Sequence, residues 1–302
     1  MKIIVIGRNG QLGWELQRTE QTLAHADTHE VHYFGSQELD ITNELQVSKI
    51  FTKIQPDLVI NAAAYTAVDK AETDLEQAYA VNEYGVKNIA KTCKELNAKM
   101  IHVSTDFVFD GTQNTPYLPT DKTNPVSVYG ASKLAGEKQV QNILAGQASI
   151  VRTAWVYSEH GNNFVKTMLR LMAEKEQLGV VYDQVGTPTW AKGLAIMIWS
   201  LANKMRQETS ETHINVPTSI YHWTDAGVTS WYDFAMAIQE IALEKGLLEK
   251  KIPIRPIPAT AYPTPAKRPS FSVLDKTHAE AASGVKTQHW RESLVQVIEK
   301  LK

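Results

Sequence analysis

The stretch that decides the fold is Lys2-Ile3-Ile4-Val5-Ile6-Gly7-Arg8-Asn9-Gly10-Gln11-Leu12-Gly13. Its apolar, β-branched beginning predicts a buried strand that stops at Gly7. We expect Gly7 to permit a tight turn, Gly10 to let the backbone approach a pyrophosphate, and Gly13 to allow a helix to pack closely on the strand. The N-terminus of that helix offers unpaired N–H groups and the positive end of its dipole to phosphates. The stretch therefore predicts a dinucleotide-binding turn.

Short apolar strands alternate with helical patterns along the first half of the chain. The strands are predicted at residues 2–6, 31–34, 58–61, 100–103 and 149–153. Helices are predicted to begin near Gln11, Asn43, Leu75 and Ser127. This alternation predicts an α/β fold, a doubly wound parallel Rossmann sheet with helices on both faces. Such sheets bind ligands outside the carboxyl ends of their strands.

The regular alternation of strands and helices ends in the second half of the chain, where a smaller C-terminal substrate-binding lobe is expected. Helices are predicted at 163–173, 190–202 and 231–245 and a strand at 220–223. The proline-rich residues 253–269 predict an absence of regular structure. We assign residues 1–155 plus about 188–224 to the NADP-binding Rossmann domain, and about 156–187 plus 225–302 to the substrate-binding domain.

The composition excludes several classes of protein. The 302 residues carry a formal net charge of −2, so the charge predicts no nucleic-acid and no membrane partner. Cys93 is the only cysteine, which excludes an intramolecular disulfide and favours a reducing compartment. No apolar run approaches the roughly 20 residues of a membrane helix, and the run at 3–6 is too short for a signal peptide. We expect a cytoplasmic protein.

The end of the second strand discriminates between the two nicotinamide cofactors. Folds that prefer NAD place an acid there to bind the ribose 2′-hydroxyl. This chain has Gly35-Ser36, with no carboxylate until Glu38, so nothing is expected to repel a 2′-phosphate. Arg8 either contacts that phosphate or is a solvated loop cation. The pattern predicts use of NADPH, with NADH tolerated.

Two further segments are predicted to line the cofactor site. Asp40-Ile41 is a candidate contact on the adenine side, although Asp40 is equally suited to cap the next helix together with Thr42. The small residues Ala62-Ala63-Ala64 follow the third strand and let a flat cofactor lie against the backbone. They equally suit close packing of helix on sheet.

Tyr129 and Lys133 form the candidate catalytic pair. At positions i and i+4 of a helix they project from one face, and Tyr129 is the only tyrosine with a lysine four residues later. A free tyrosine has a pKa of about 10, and a nearby ammonium favours the phenolate, so we expect Lys133 to bring the pKa of Tyr129 closer to working pH. Lys133 can also bind the nicotinamide ribose. Thr105, or its neighbour Ser104, offers a hydroxyl to polarise a carbonyl.

Together these motifs resemble the extended short-chain dehydrogenase/reductase superfamily and, within it, the dTDP-4-dehydrorhamnose reductase family. The most specific strings are Asn61-Ala62-Ala63-Ala64-Tyr65-Thr66-Ala67-Val68-Asp69-Lys70-Ala71-Glu72 and Ser104-Thr105-Asp106-Phe107-Val108-Phe109. The resemblance continues at residues 10–13, 129–137, 152–157, 161–164 and 260–269, so it covers nearly the whole chain.

The resemblance implies NADPH-dependent reduction of the 4-keto group of dTDP-4-dehydro-L-rhamnose to dTDP-L-rhamnose, a step of polysaccharide precursor synthesis. It places Thr105, Tyr129 and Lys133 on the catalytic positions. It implies sugar or substrate contacts for Val68, Asp106, Phe107 and Trp155, although Trp155 also suits the core. The implied cofactor contacts are Gly7, Arg8, Gly10, Gln11, Leu12, Gly13, Asp40, Ile41, Ala62, Ala63, Ala64, Thr66, Tyr129 and Lys133.

Other positions bear on the reaction type. Related nucleotide-sugar dehydratases carry two acids after the threonine, and Phe107 replaces the second acid here, which favours a plain reductase over a dehydratase. Lys267 and Arg268 either meet the nucleotide diphosphate or are solvated loop cations.

The resemblance also raises the question of magnesium, because some members form a dimer bridged by Mg²⁺ through glutamates. Glu15 and Glu292 fall on two such positions, but Lys192 falls on a third, where a cation opposes the metal. We therefore expect no metal, a monomer or a homodimer, and surface acids at Glu15 and Glu292.

Two other functions stay open. One is a non-catalytic Rossmann regulatory subunit, in which loss of the Tyr129 or Lys133 position would be expected, yet both residues are present. The other is a reductase or epimerase acting on another nucleotide sugar, which would differ in the shape of its pocket.

Overall fold

The computed structural model describes residues 1–22, 29–207 and 218–302. Its strands are β1 (Lys2–Ile6), β2 (Glu30–Phe34), β3 (Leu58–Asn61), β4 (Lys99–Thr105), β5 (Ala148–Thr153), β6 (Val156–Tyr157), β7 (Leu178–Val181), β8 (Val185–Gly186), β9 (Thr189–Trp190), β10 (Ser219–Trp223), β11 (Thr229–Ser230) and β12 (Ile254–Ile257).

The helices alternate with the strands in the first half and dominate the second. They are α1 (Gln11–Thr19), α2 (Glu44–Ile54), α3 (Val68–Ala71), α4 (Leu75–Tyr79), α5 (Val86–Glu95), α6 (Val128–Leu144), α7 (Phe164–Glu174), α8 (Ala191–Gln207), α9 (Trp231–Glu244), α10 (Thr277–Ser283) and α11 (Trp290–Leu301). A wider π-helical turn, Ala80–Gly85, joins α4 to α5.

The predicted doubly wound parallel sheet is confirmed in the described part of the chain. Its strand order is β10-β5-β4-β3-β1-β2, and every pairing is parallel. Because β2 and β3 lie on opposite sides of β1, the direction of winding reverses between β1 and β3. A crevice at the carboxyl ends of the strands is expected at such a switch point.

Alternating residues of β1 show how both faces of the sheet are covered. Ile3 and Val5 pack with α1 and α8, whereas Ile4 and Ile6 pack with α2, α5 and α6. Both faces are buried, which is why the strand reads as a continuous apolar run. A third apolar cluster, formed mainly by α7, α9 and α11, lies apart from the sheet. The two-domain boundaries stay a prediction.

The prediction that residues 253–269 lack regular structure was wrong. Ile254–Ile257 is strand β12, paired in parallel with β7 so that Pro256 lies opposite Val180. Proline cannot donate to a ladder, but a two-stranded sheet leaves one edge of each strand unpaired, so the missing N–H costs little there. Residues Ala259–Ala261 then form a 3₁₀ turn.

The predicted helices and longer strands match the structure within a few residues at their ends. Strand β4 is longer than predicted and includes Ser104 and Thr105, whose side chains therefore belong to the carboxyl end of the sheet. None of the helices in the described ranges is both long and apolar enough to cross a membrane. The cytoplasmic location stays a prediction.

Candidate active site

A cavity of about 1060 Å³ opens at the carboxyl ends of β1 to β5. All residues placed on catalytic, cofactor and sugar positions line it except Arg8, whereas Glu15, Lys267, Arg268 and Glu292 do not. The cavity therefore joins the glycine loop near the N-terminus with Thr105, Tyr129 and Lys133, which are distant from it in sequence. Its lining also includes Asn9, Gly161 and Asn162, which we did not predict.

The glycine loop forms the floor of one end of the cavity. Gly7 adopts φ +93°, and a Cβ on Gly13 would lie 2.1 Å from the Gly7 carbonyl oxygen, so both positions require glycine. A Cβ on Gly10 would meet only the Gly7 oxygen, at 3.4 Å. No side chain caps α1, which leaves its first N–H groups free. This open cradle fits a pyrophosphate.

The end of β2 differs from the prediction, because a carboxylate does lie there. The turn after Phe34 folds Glu38 back, so that its Oε2 accepts the Gly35 N–H at 2.7 Å. Arg8 pairs with the other oxygen of this carboxylate. Arg8 is therefore neither free in solvent nor part of the cavity lining. The expectation that nothing near β2 would repel a 2′-phosphate was wrong.

The suggestion that Asp40 caps α2 was also wrong. Asn43 caps this helix by accepting the Gln46 N–H, whereas Asp40 accepts the N–H and hydroxyl of Thr42 in a local turn. The cap lies three residues later because the chain first completes this turn. Asp40 and Ile41 still line the cavity, so the predicted adenine-side contact stays a prediction.

The wall formed by residues 62–66 is fixed by two buried asparagines that sequence reasoning missed as site residues. Asn61 accepts the Ala63 N–H at 3.1 Å. Asn82, on the π-helical turn, accepts the Tyr65 N–H at 2.9 Å and donates to the Tyr65 carbonyl and to Ser132 on α6. The π-helical turn thereby connects residues 62–66 to α6, the helix that carries Tyr129 and Lys133.

Helix α6 presents Tyr129 and Lys133 to the cavity from one face. Ser127 caps the helix by accepting the Gly130 N–H, which fixes where its first turn begins. Tyr129 is 9% exposed and Lys133 is 2% exposed. The Lys133 ammonium donates to the Val103 carbonyl at 2.7 Å, so it is anchored to the end of β4.

The expected effect of Lys133 on Tyr129 was wrong for the structure. Burial raises the pKa of Tyr129 to about 12, and the carboxylate of Asp106 also raises it. Burial lowers the pKa of Lys133 to about 8. Desolvation penalises the charged form of each residue and is the largest cause of each shift. Tyr129 is therefore held as a protonated phenol, the form in which it can donate a proton.

Thr105 lies between Tyr129 and Asp106. Its hydroxyl donates to Asp106 Oδ1 at 3.0 Å and accepts the Phe107 N–H at 3.2 Å. Asp106 is 2% exposed, and its Oδ2 is buried without a hydrogen-bond partner in the described part of the chain. Phe107 packs edge-on against the Tyr129 ring, with centroids 5.4 Å apart.

Trp155 lines the cavity and is not a buried core residue. Its ring stacks on Trp231 at the start of α9, with centroids 3.4 Å apart and planes 9° from parallel. The Trp155 backbone adopts φ +46°, an unusual conformation for a bulky residue. This pairing holds an aromatic surface at the edge of the cavity.

Arg268 is not the solvated loop cation that we considered. It donates to both carboxylate oxygens of Asp69, at 3.0 and 2.8 Å, and this interaction lowers the pKa of Asp69. Asp69 follows Val68, so the contact fixes the predicted substrate residue against the proline-rich segment. Lys267 is exposed.

The two candidate magnesium ligands occupy different environments. Glu15 is 1% exposed, so the expectation of a surface acid was wrong for it. Burial raises the pKa of Glu15 to about 7, and the charge of Glu159, which Lys300 contacts at 3.1 Å, raises it further. Glu292 is exposed. No group of three or more His, Cys, Asp or Glu within the described ranges could hold a metal.

Lys192, at the third position of the proposed metal bridge, lies with its ammonium 5.1 Å from the centre of the Trp190 ring. A cation at this place is compatible with the expectation that no metal is bound. That expectation and the oligomeric state both stay predictions.

Residues 158–163 form a strap over the glycine loop that the sequence did not indicate. Asn163 donates to Gln11 Oε1 at 2.9 Å, and the Gln11 amide donates to the Val156 carbonyl at 3.3 Å. His160 contacts the Asn9 carbonyl at 3.0 Å and stacks on Trp14. The Gln11 side chain is thus used to bind the strap.

A Rossmann sheet with a glycine cradle, and a Tyr-Lys pair beside a strand-end threonine, define an oxidoreductase of the extended short-chain dehydrogenase/reductase class. The chain matches the family described as RmlD substrate binding domain over residues 1–302, and it belongs to that family.

Named relatives agree with this assignment. The chain is 40% identical over 304 residues to the dTDP-4-dehydrorhamnose reductase of Escherichia coli (strain K12), which covers 100% of this chain and 98% of the relative. It resembles the crystal structure of a dTDP-4-dehydrorhamnose reductase from Clostridium acetobutylicum, with TM-score 0.89, 40% identity and coverage of 100% and 99%. The Bacillus anthracis dTDP-4-dehydrorhamnose reductase, in complex with NADP, gives TM-score 0.87, 34% identity and coverage of 99% of each chain.

Proposed function

We propose that this protein reduces the 4-keto group of dTDP-4-dehydro-L-rhamnose with NADPH to give dTDP-L-rhamnose. The observation that carries the proposal is the single cavity shared by the glycine cradle, Thr105, Tyr129 and Lys133, in a chain with a full-length resemblance to reductases of that name. The presence of Tyr129 and Lys133 inside this cavity argues against a non-catalytic regulatory subunit.

Bound NADPH would supply a hydride to the carbonyl carbon. The residues of this chain then protonate and polarise the carbonyl oxygen. Tyr129, held protonated by burial, donates its phenolic proton to that oxygen. Thr105 lies beside Tyr129 and can polarise the same oxygen. Lys133, anchored on Val103, is placed to bind the nicotinamide ribose and to stabilise the phenolate that Tyr129 leaves.

The substrate end of the cavity suits a nucleotide sugar. Trp155 offers an apolar surface for the C–H face of a deoxysugar, and Val68 and Phe107 add further apolar contacts. Phe107 stands where a dehydratase needs a second acid, so the residues support reduction without elimination of water.

The cofactor preference rests on the glycine loop. Arg8 and Glu38 lie next to one another at the end of β2, and Arg8 offsets the charge of the carboxylate. We infer that NADPH is the preferred donor and that NADH is tolerated, because Arg8 offsets the charge of Glu38 and a dTDP-4-dehydrorhamnose reductase 34% identical to this chain is in complex with NADP.

The test is the loss of reduced-nicotinamide absorbance on mixing the protein with dTDP-4-dehydro-L-rhamnose, with NADPH and NADH assayed in parallel. We expect stoichiometric oxidation, dTDP-L-rhamnose as product and a higher kcat/KM with NADPH. Folded protein that binds NADPH but leaves it unoxidised would refute the proposed reaction. Turnover without net oxidation would indicate an epimerase.

A further inference from the structure

Strand β5 ends at Thr153, whose hydroxyl belongs to the wall of the cavity. Thr153 lines the cavity and is only 7% exposed. Its Oγ1 is buried and has no hydrogen-bond partner among the described residues. A hydroxyl that gives up its hydration without a hydrogen bond in return is costly to the fold. At the wall of a binding cavity, such a hydroxyl indicates a contact with the ligand.

The order of the strands gives the direction in which a dinucleotide lies across the sheet. From one edge inwards the strands are β2, β1, β3, β4 and β5. The cradle that fits the pyrophosphate follows β1, and Lys133, the candidate partner of the nicotinamide ribose, is anchored on the Val103 carbonyl of β4. A cofactor that extends from β1 to β4 therefore brings its nicotinamide ring to the ends of β4 and β5.

Thr153 lies directly beside the strand-end threonine of β4. Thr105 and Thr153 are Cα partners in the parallel pairing of β4 with β5. Neighbouring strands lie about 4.8 Å apart, and paired residues project from the same face of the sheet. Ser104 is also buried and lines the cavity, but the alternation of side chains along β4 places it on the other face. Hydride transfer to a carbonyl held at Thr105 and Tyr129 requires the ring to lie within reach of Thr153.

The chemistry of the ring identifies the group that this hydroxyl meets. The only polar substituent of a dihydronicotinamide ring is the carboxamide on C3, next to the carbon that gives the hydride. A carboxamide carries both N–H donors and a carbonyl acceptor, so it can bond to a hydroxyl in either sense. Nearby on the cavity wall, Ala154 and Leu194 are apolar. The Gln11 side chain is already bonded to Val156 and Asn163.

We propose that the Thr153 hydroxyl binds the carboxamide of the nicotinamide ring and thereby fixes which face of the ring is turned to the substrate. A half-turn of the ring about its bond to the ribose moves the carboxamide to the opposite side and presents the other face. A held carboxamide therefore selects one face for hydride transfer. This role rests on the nicotinamide cofactor of the proposed function and does not depend on the identity of the sugar.

The first test is Thr153→Val, which replaces the hydroxyl by a methyl group of similar size. We expect the affinity for NADPH, measured by fluorescence titration without sugar, to fall about 3- to 10-fold through the loss of one hydrogen bond. Thr153→Ser keeps the hydroxyl and should restore most of the affinity. Thr189→Val is the matched control, because the Thr189 hydroxyl is equally buried and unpartnered within the described ranges but lies outside the cavity lining. Its NADPH affinity should match the wild type.

A second ligand shows which part of NADPH the hydroxyl contacts. 2′-Phospho-ADP-ribose contains the adenosine, pyrophosphate and both riboses of the cofactor but lacks the nicotinamide ring. The wild type and Thr153→Val should bind it with equal affinity, so the difference between the two proteins should appear only with NADPH.

Urea unfolding of the unliganded protein separates a contact with the cofactor from a role in the fold. The Thr153 hydroxyl has no partner in the described part of the chain, so replacing it by a methyl group should leave the unliganded protein at least as stable as the wild type. Unfolding of unliganded Thr153→Val at a lower urea concentration would show that the hydroxyl supports the fold, and this result would overturn the proposal.

Three binding results would also overturn it. They are an unchanged NADPH affinity in Thr153→Val, an equal loss of affinity for NADPH and 2′-phospho-ADP-ribose, and a Thr153→Ser variant that binds NADPH as weakly as the valine variant. Failure of the proposed function is distinguishable, because a wild type that binds NADPH without reducing dTDP-4-dehydro-L-rhamnose would refute that reaction and leave the role of Thr153 standing. A wild type that does not bind NADPH would overturn both.

Discussion

Removing the charge of Glu137 should lower the free energy of unfolding, and it should also lower the pKa of the catalytic Lys133. Glu137 accepts two hydrogen bonds from Arg152, at 2.9 and 2.7 Å, and the two side chains are only 1% and 3% exposed. Glu137→Gln leaves a buried guanidinium without its counter-charge, which costs about 3–5 kcal/mol. Glu137 also raises the pKa of Lys133, one helical turn away, so the variant should lower that pKa further below its ordinary value.

The assay is equilibrium urea unfolding followed by tryptophan fluorescence, combined with the pH profile of turnover. Glu174→Gln is the matched control, because its pair with Arg170 is more than half exposed and should contribute at most about 0.5 kcal/mol. In Glu137→Gln the alkaline limb of the turnover–pH profile should move to lower pH, because the pKa of Lys133 is lowered. A loss of unfolding free energy below about 1 kcal/mol, with an unmoved alkaline limb, would refute the reasoning, since it would mean that Arg152 is solvated or finds another acceptor.

Three further outcomes are expected. Tyr129→Phe should lower kcat by about 10²–10⁴-fold and leave NADPH affinity, measured by fluorescence titration, near the wild type; near-normal turnover would remove Tyr129 as the proton donor. Gly13→Ala places a Cβ 2.1 Å from the Gly7 oxygen and should weaken NADPH binding, whereas Gly193→Ala, whose nearest new contact is 3.7 Å, should not; equal affinities would contradict the role of the loop. Burial raises the pKa of Glu15 from 4.5 to about 7, so the folded state keeps a proton that the unfolded chain releases in this range, and the free energy of unfolding should fall as pH rises through it. Glu15→Gln should flatten that slope in urea unfolding at several pH values, and an unchanged slope would show that Glu15 does not cause it.

The fold could be predicted because its signals are local. The run from Lys2 to Ile6 is apolar on both faces, since helices cover both sides of the sheet, and the glycines after it mark the turn. Strand β12 was missed because proline is normally excluded from strands, and only the tertiary pairing with β7 reveals that one edge is left unpaired.

The side chains that form the site could be predicted from the sequence, but the direction of their pKa shifts could not. The strand-end threonine and the Tyr129-Lys133 spacing indicated which side chains would meet, and the cavity brings them together. Sequence reasoning treated the tyrosine and lysine as if they were in water, where attraction between unlike charges dominates. In the folded chain both are desolvated, and that larger effect raises the pKa of one residue and lowers the pKa of the other.

The substrate end of the cavity is built by contacts between parts of the chain that are distant in sequence. Asp69 is held by Arg268, and Trp155 by Trp231. In each pair the first residue lies near a strand end of the sheet and the second in the C-terminal third. The glycine cradle, by contrast, is shaped by local backbone geometry. Cofactor binding is therefore encoded mainly in the first strand and turn, whereas the shape that selects the sugar depends on how the last third of the chain packs against the sheet.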